Sequence, residues 1–181
     1  MNIAPKLEDG NVTLRQPIEI DIFARKELGI NTECVMMCGD NVSNVEEFTL
    51  EDAINWYERI IHHPCKWVIE YNGKCIGTVG LRPYIGDNKA KFSIEIYDSN
   101  VYSCGIGTKV TKMVLNYAFQ VLEYHKVFLR VLDYNKRAIK CYEKCGFIIE
   151  GIDREGALIK GVYCNDIYMG IMKSDYISSI K

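Results

Sequence analysis

The chain has 181 residues, 48% hydrophobic and 25% charged, with a formal net charge of −2. That composition fits one globular domain and excludes a low-complexity or fibrous protein. No run of eighteen apolar residues occurs, the N-terminus shows no basic start before an apolar stretch, and no basic block interleaves with aromatics, so a membrane span, an export signal and a nucleic-acid-binding surface are all absent from the reading.

The expectation is one soluble, cytoplasmic domain over residues 1–181, with its eight cysteines as free thiols. The small net charge hides an asymmetry, because residues 1–60 carry twelve acids and five bases and residues 61–181 carry twelve and seventeen. Such a split suits a chain that meets a cationic ligand with one part and a polyanion with the other, or it is plain solvated surface.

In chain order, Val12–Arg15 reads as a short alternating strand, and the segment to Gly29 has room for a helix. Residues 30–48 read as a loop or short helix, with Cys34–Cys38 between acidic and Asn-rich flanks. Thr49 caps a helix that carries Ile54, Trp56, Tyr57, Ile60 and Ile61 and ends near Pro64. Lys66–Tyr71 and Cys75–Leu81 form a hairpin about Asn72-Gly73, and a turn at Gly86–Asn88 leads to a third strand, Phe92–Tyr97.

Gly105 and Gly107 then open a helix with Val110, Met113, Val114, Ala118, Val121 and Leu122 on one face. The strand Val127–Leu132 follows, then a helix capped by Asn135 and stopped by Gly146, then closing strands in Phe147–Ile149 and Val162–Met172. The whole is a mixed α/β (α+β) domain.

No metal site is expected. Cys34 and Cys38, like Cys141 and Cys145, are four apart rather than in C-x2-C spacing, and the adjacent His62 and His63 cannot share a ligand on a helix.

A glycine-rich turn at a helix start is an anion site in principle, because the first helical amides lack intrahelical acceptors. It also serves as mere turn geometry. Neither the Walker loop nor the dinucleotide fingerprint fits: Lys109 follows Thr108, and the third glycine is replaced by Val110.

Two blocks carry a family resemblance. Tyr102-Ser103-Cys104-Gly105-Ile106-Gly107 resembles the cofactor motif Q/R-x-x-G-x-G/A of the GNAT superfamily, and Asn135–Phe147 is similar to its N-x-x-A-x-x-x-Y-x-x-x-G-F block. Leu14-Arg15, Ile76–Leu81 and the ending near Tyr168-Met169 resemble the branch with ribosomal-protein-alanine and spermidine acetyltransferases.

The resemblance implies a central, mostly antiparallel sheet flanked by helices, with acetyl-CoA as cofactor and a small-molecule or peptide amine as substrate. A homodimer is among its implications. Ile94, Glu95 and Ile96 would offer backbone groups to the pantetheine arm, residues Tyr102, Ser103, Cys104, Gly105, Ile106, Gly107 and Thr108 would wrap the pyrophosphate, and Asn135 and Ala138 would lie further along the arm. Tyr142 would be the general acid.

Two positions depart from the family pattern. Tyr102 stands where Gln or Arg is usual, so backbone or hydroxyl donors would replace that contact, and Lys91 stands where many relatives have a glutamate. From spacing alone Tyr142 is a core aromatic and Asn135 a helix cap.

An alkylamine of pKa about 10.4 is neutral roughly once in 2,500 molecules at pH 7, so a base is needed. Glu95 is the candidate, with a surface carboxylate as the plain reading, and Glu33 is a candidate to hold a cationic substrate. Direct transfer is expected, without a cysteine intermediate. A non-catalytic acyl-CoA-binding domain of the same fold is the alternative, and a nucleotide-binding module is a third.

Overall fold

The structure, a computed structural model, describes residues 4–39 and 47–179. Eight strands form one sheet among the described residues, in the order β1-β2-β3-β4-β5-β6-β8-β7. They are β1 (Leu7–Asp9), β2 (Val12–Arg15), β3 (Lys66–Tyr71), β4 (Lys74–Tyr84), β5 (Lys89–Ile96), β6 (Lys126–Leu132), β7 (Ile148–Ile159) and β8 (Val162–Met172). The helices are α1 (Ile20–Leu28), α2 (Thr32–Cys38), α3 (Leu50–Ile61), α4 (Ile106–Gln120), α5 (Lys136–Lys144) and α6 (Lys173–Ser179). The mixed α/β architecture agrees with the sequence reading, and no described helix is long and apolar enough to cross a membrane.

The local rules are visible in the elements. Asn72 and Gly73 both take positive φ, 49° and 77°, the geometry a two-residue hairpin between β3 and β4 requires. Thr49 and Asp52 form a reciprocal capping box at the start of α3, satisfying two amides that have no helical acceptor. Residues 32–38 form α2, capped by the Asn31 side chain on the amide of Cys34; the rest of the loop reading, at residues 40–46, lies outside the described residues.

Strand alternation divides the core into two faces. Trp67, Ile69, Phe92, Leu129 and Val131 pack with Val110, Val114, Leu115 and Phe119 of α4 and with Ile139 and Tyr142 of α5. Val68, Cys75 and Tyr97 turn the other way, onto Trp56 and Ile60 of α3. Buried Asp21 receives both terminal nitrogens of Arg15 at 2.7 and 2.9 Å, while Arg15 Nε meets Glu70 at 2.6 Å, so one arginine ties β2, β3 and α1 together.

All neighbouring strands are antiparallel except β5 and β6. That parallel pair is in register only from Lys89↔Lys126 to Lys91↔Phe128, although β5 continues to Ile96 and β6 to Leu132. Beyond Lys91 and Phe128 the two strands part.

Gly77 of β4 lies opposite Ile96, and a β-carbon there would collide with the Glu95 carbonyl oxygen. Only glycine lets β4 press against β5 where the strands part. Gly77→Ala is expected to reduce the unfolding free energy by about 1–3 kcal/mol through forced backbone movement. Urea denaturation checks this, and an unaltered midpoint would show that the close approach carries no weight.

Candidate active site

The parted strands open a cleft of about 600 Å³, within the range of small-molecule sites. Ile94, Glu95 and Ile96 of β5, Leu129–Leu132 of β6, the turn before α4, the inner face of α5 and part of α2 line it.

The backbone of β5 is divided by ladder parity. The amide of Tyr97 donates to the carbonyl of Ile76 at 2.8 Å, and the register continues through Glu95↔Thr78. In an antiparallel ladder alternate residues point to opposite sides, so Glu95 gives its backbone to β4 while Ile94 and Ile96 turn theirs toward the cleft. The expectation that Glu95 offers a backbone group therefore fails for a geometric reason; what it presents is a carboxylate.

The turn before α4 is built to face an anion. Ser103 and Gly105 adopt φ of 61° and 81°, and no side chain caps the helix. The first intrahelical amide bond at this end runs from Lys109 to Gly105 O, leaving the amides of Ile106, Gly107 and Thr108 without helical acceptors. A β-carbon on Gly105 would meet nothing within 4 Å, so glycine is required by its φ and not by crowding.

Three cations of α5, Arg137, Lys140 and Lys144, line the same cleft. Their spacing of three and four residues puts them on one helical stripe. With Lys91 and Arg130 they make five cations against one carboxylate, Glu95, among the described lining residues.

Tyr102 does not act as the sequence suggested. Its hydroxyl donates inward to the Ile96 carbonyl at 2.9 Å and accepts from Asn31 Nδ2 at 3.1 Å, and its amide donates to Ser99 O. Neither donor is left for a phosphate. Instead the ring supports Arg137, whose guanidinium lies 4.0 Å above its centre, a favourable cation–π arrangement.

Glu33 sits on α2 outside the cleft lining, with its carboxylate 2.7 Å from Arg137 Nη1. It holds an arginine of the chain itself. Cys104 is exposed and directed away, its thiol donating to the Tyr102 carbonyl, whereas Ser103, Ile106, Gly107, Thr108 and Ala138 all line the cleft. The Asn135 side chain caps α5 through Ala138 N at 3.1 Å and donates to Met37 O at 3.3 Å. Its amide thus locks α5 to α2 while it borders the cleft.

Tyr142 is 8% exposed and packs edge-on against Phe92 with centroids 6.1 Å apart. Burial, reinforced by the neighbouring thiols Cys141, Cys38 and Cys145, pushes its phenol above the ordinary range. It stays protonated and borders the cleft.

Opposite it, Glu95 Oε2 accepts from the buried Tyr97 hydroxyl at 3.2 Å. The Trp56 indole donates to that hydroxyl at 3.2 Å and Thr78 Oγ1 lies 3.0 Å from it. Since the indole can only donate, the Tyr97 proton is free to point at Glu95 while Thr78 donates to Tyr97. This network was not read from the sequence.

Cys141, beside Thr108 Oγ1 at 3.4 Å, was also missed. Its thiol is held below the ordinary cysteine range by a hydrogen bond from Cys145, against the opposing effect of burial, and Cys145 is correspondingly raised.

Comparison with known proteins agrees with this geometry. The acetyltransferase (GNAT) domain family matches residues 11–148. The spermidine N(1)-acetyltransferase of Escherichia coli (strain K12) is 32% identical over 152 residues, 78% of this chain and 81% of that protein. A crystal structure of spermidine N-acetyltransferase from Vibrio cholerae in complex with CoA and spermine superposes with a TM-score of 0.77 at 28% identity, covering 93% of this chain and 99% of that one. A GNAT-family acetyltransferase from Bacillus anthracis shares the fold at 14% identity, with a TM-score of 0.80 over 94% and 99% of the two chains. The chain belongs to the GNAT family and is an acetyl-CoA-dependent N-acetyltransferase.

Proposed function

We propose that residues 1–181 act as one acetyltransferase domain that passes the acetyl group directly to a primary amine, with Tyr142 as general acid and Glu95 as general base. The observation that carries this reading is the placement of a buried, protonated phenol and a hydrogen-bonded carboxylate on the lining of one cleft, beside free helix-start amides.

Acetyl-CoA supplies an acetyl group activated as a thioester. The amides of Ile106, Gly107 and Thr108 and the cations of α5 fit its phosphates, and the cleft-facing backbone of Ile94 with the amide of Ile96 fits its amide-bearing arm. Glu95 takes a proton from the amine nitrogen, directly or through water, as the nitrogen–carbon bond forms. Tyr142 Oη provides the proton for the sulfur as the carbon–sulfur bond breaks. Tyr97 keeps the carboxylate of Glu95 in place.

Tyr142→Phe is expected to lower kcat about 10²- to 10⁴-fold in a thiol-release assay, and unchanged turnover would remove the acid from that position. Because burial raises the phenol pKa, wild-type activity is not expected to fall from Tyr142 ionisation below about pH 10. Glu95→Gln should leave a slow reaction whose rate climbs nearly tenfold per pH unit, as more amine becomes neutral in solution; a pH profile parallel to wild type would argue against the base.

The low-lying thiol of Cys141 gives a separate check on cofactor position. At pH 7 iodoacetamide should label Cys141 faster than Cys145, the difference shrinking as acid protonates the thiolate, and coenzyme A should slow the labelling. Mass spectrometry of the peptides reads it. Labelling indifferent to coenzyme A would move the phosphate site away from Thr108.

A further inference from the structure

The acceptor side of the cleft has a charge pattern that an unsubstituted polyamine does not match. On β5, Phe92, Ile94 and Ile96 pack toward the main core, so strand alternation sends Lys91, Ser93 and Glu95 to the other face. On β6 the same rule separates Leu129 and Val131, in the core, from Arg130. Lys91, Ser93, Glu95 and Arg130 all line the cleft.

Arg130 is fixed but not used up. Its Nε lies 2.6 Å from Asp166 Oδ2, and the guanidinium borders the cleft. Asp166 is 3% exposed, so the salt bridge anchors the guanidinium from behind and leaves its outer edge, the part suited to a bidentate anion, toward the cleft. Lys91 has no hydrogen bond or ion pair among the described residues.

Positions along the two strands, counted from their last pairing, set the order of the charges. Phe128 is opposite Lys91, which puts Arg130 level with Ser93, two residues or roughly 7 Å along the strand from Glu95, and Lys91 roughly 13 Å from it. A carboxylate that accepts a proton at one end and two cations further along describe a ligand with an amine at one end and a negative group at the other.

We infer that the acceptor is a primary amine that also carries an anionic group, a carboxylate or a phosphate, bound by Arg130 and Lys91 while its amine meets Glu95. This rests on the acetyl-transfer reading. A second ammonium at the Arg130 level would face repulsion instead.

The test measures thiol release from acetyl-CoA with 4-aminobutyrate, 6-aminohexanoate, their carboxamides, 2-aminoethyl phosphate and spermidine. The carboxylates or the phosphate should have a KM about ten- to a hundredfold below the carboxamides, the size expected for a charged hydrogen bond, and whichever is favoured identifies the anion. Lys91→Met, which breaks no described ion pair, and Arg130→Gln should each shrink the KM ratio between acids and carboxamides, Lys91→Met serving as the variant that leaves the Asp166 ion pair intact. Equal KM for acids and carboxamides, or preference for spermidine with both variants silent, overturns the inference and leaves acetyl transfer standing. Binding of acetyl-CoA with no amine turned over overturns the acetyl-transfer reading and this one with it.

Discussion

Parallel pairing between β5 and β6 lasts for three residues, and the geometry of the site follows from where it stops. Had the ladder continued, the backbone of Ile94 and Ile96 would be bonded to β6 and no cleft would separate the strands. The parting is held open from both sides: β5 stays paired to β4 as far as Gly77↔Ile96, where glycine permits the close approach, and β6 is bonded along its whole length to β8, from Lys126↔Met172 to Leu132↔Asp166. Each strand is committed to its outer neighbour. The wedge between them is therefore a property of the sheet and does not depend on loop conformation.

Around this wedge the charges are sorted by face. The turn before α4 and the stripe Arg137, Lys140 and Lys144 give the α5 side a positive field from fixed amides and side chains together. On the opposite side the carboxylate of Glu95 stands among Lys91 and Arg130. Several acids of residues 1–60 are taken up within the chain: Asp21 is bound by Arg15, Glu33 by Arg137, and Asp52 by its capping box. A net-charge count along the chain thus says little about the field a ligand meets.

The sequence disclosed what is local. The Asn72-Gly73 hairpin, the Thr49 cap, the amphipathic α4 and the Asn135 cap are each written within a few consecutive residues and occur at those places, except that α4 ends at Gln120 and leaves Val121, expected on its apolar face, exposed. β7 was longer than expected, because Glu150, Asp153, Arg154 and Glu155 interrupt the apolar alternation where the ladder itself slips, at Ile149/Gly151 and Asp153/Ala157. β1 has three residues, two of them acidic, too few for a period. At the site, the loop and α5 were legible as motifs. The contacts of Tyr102 with Ile96 and Arg137, the support of Glu95 by Tyr97, and the level of Arg130 relative to Glu95 depend on pairing between distant segments, and no local pattern records them. The α5 cation stripe was recoverable from helical spacing alone, had the lysines been read for their face and not only for their place in a motif.

The cleft-facing amide groups of Ile94 and Ile96 also bear on the energetics of the free protein. The Tyr102 hydroxyl already satisfies the Ile96 carbonyl, while the other backbone groups of this edge find their hydrogen bonds with solvent or with a guest of matching amide spacing. The folded state is then partly completed from outside. Its resistance to unfolding becomes a function of how much of that guest the surroundings contain, rising with the logarithm of its concentration above the dissociation constant, so that the fold's endurance is tied to the supply of the molecule it consumes.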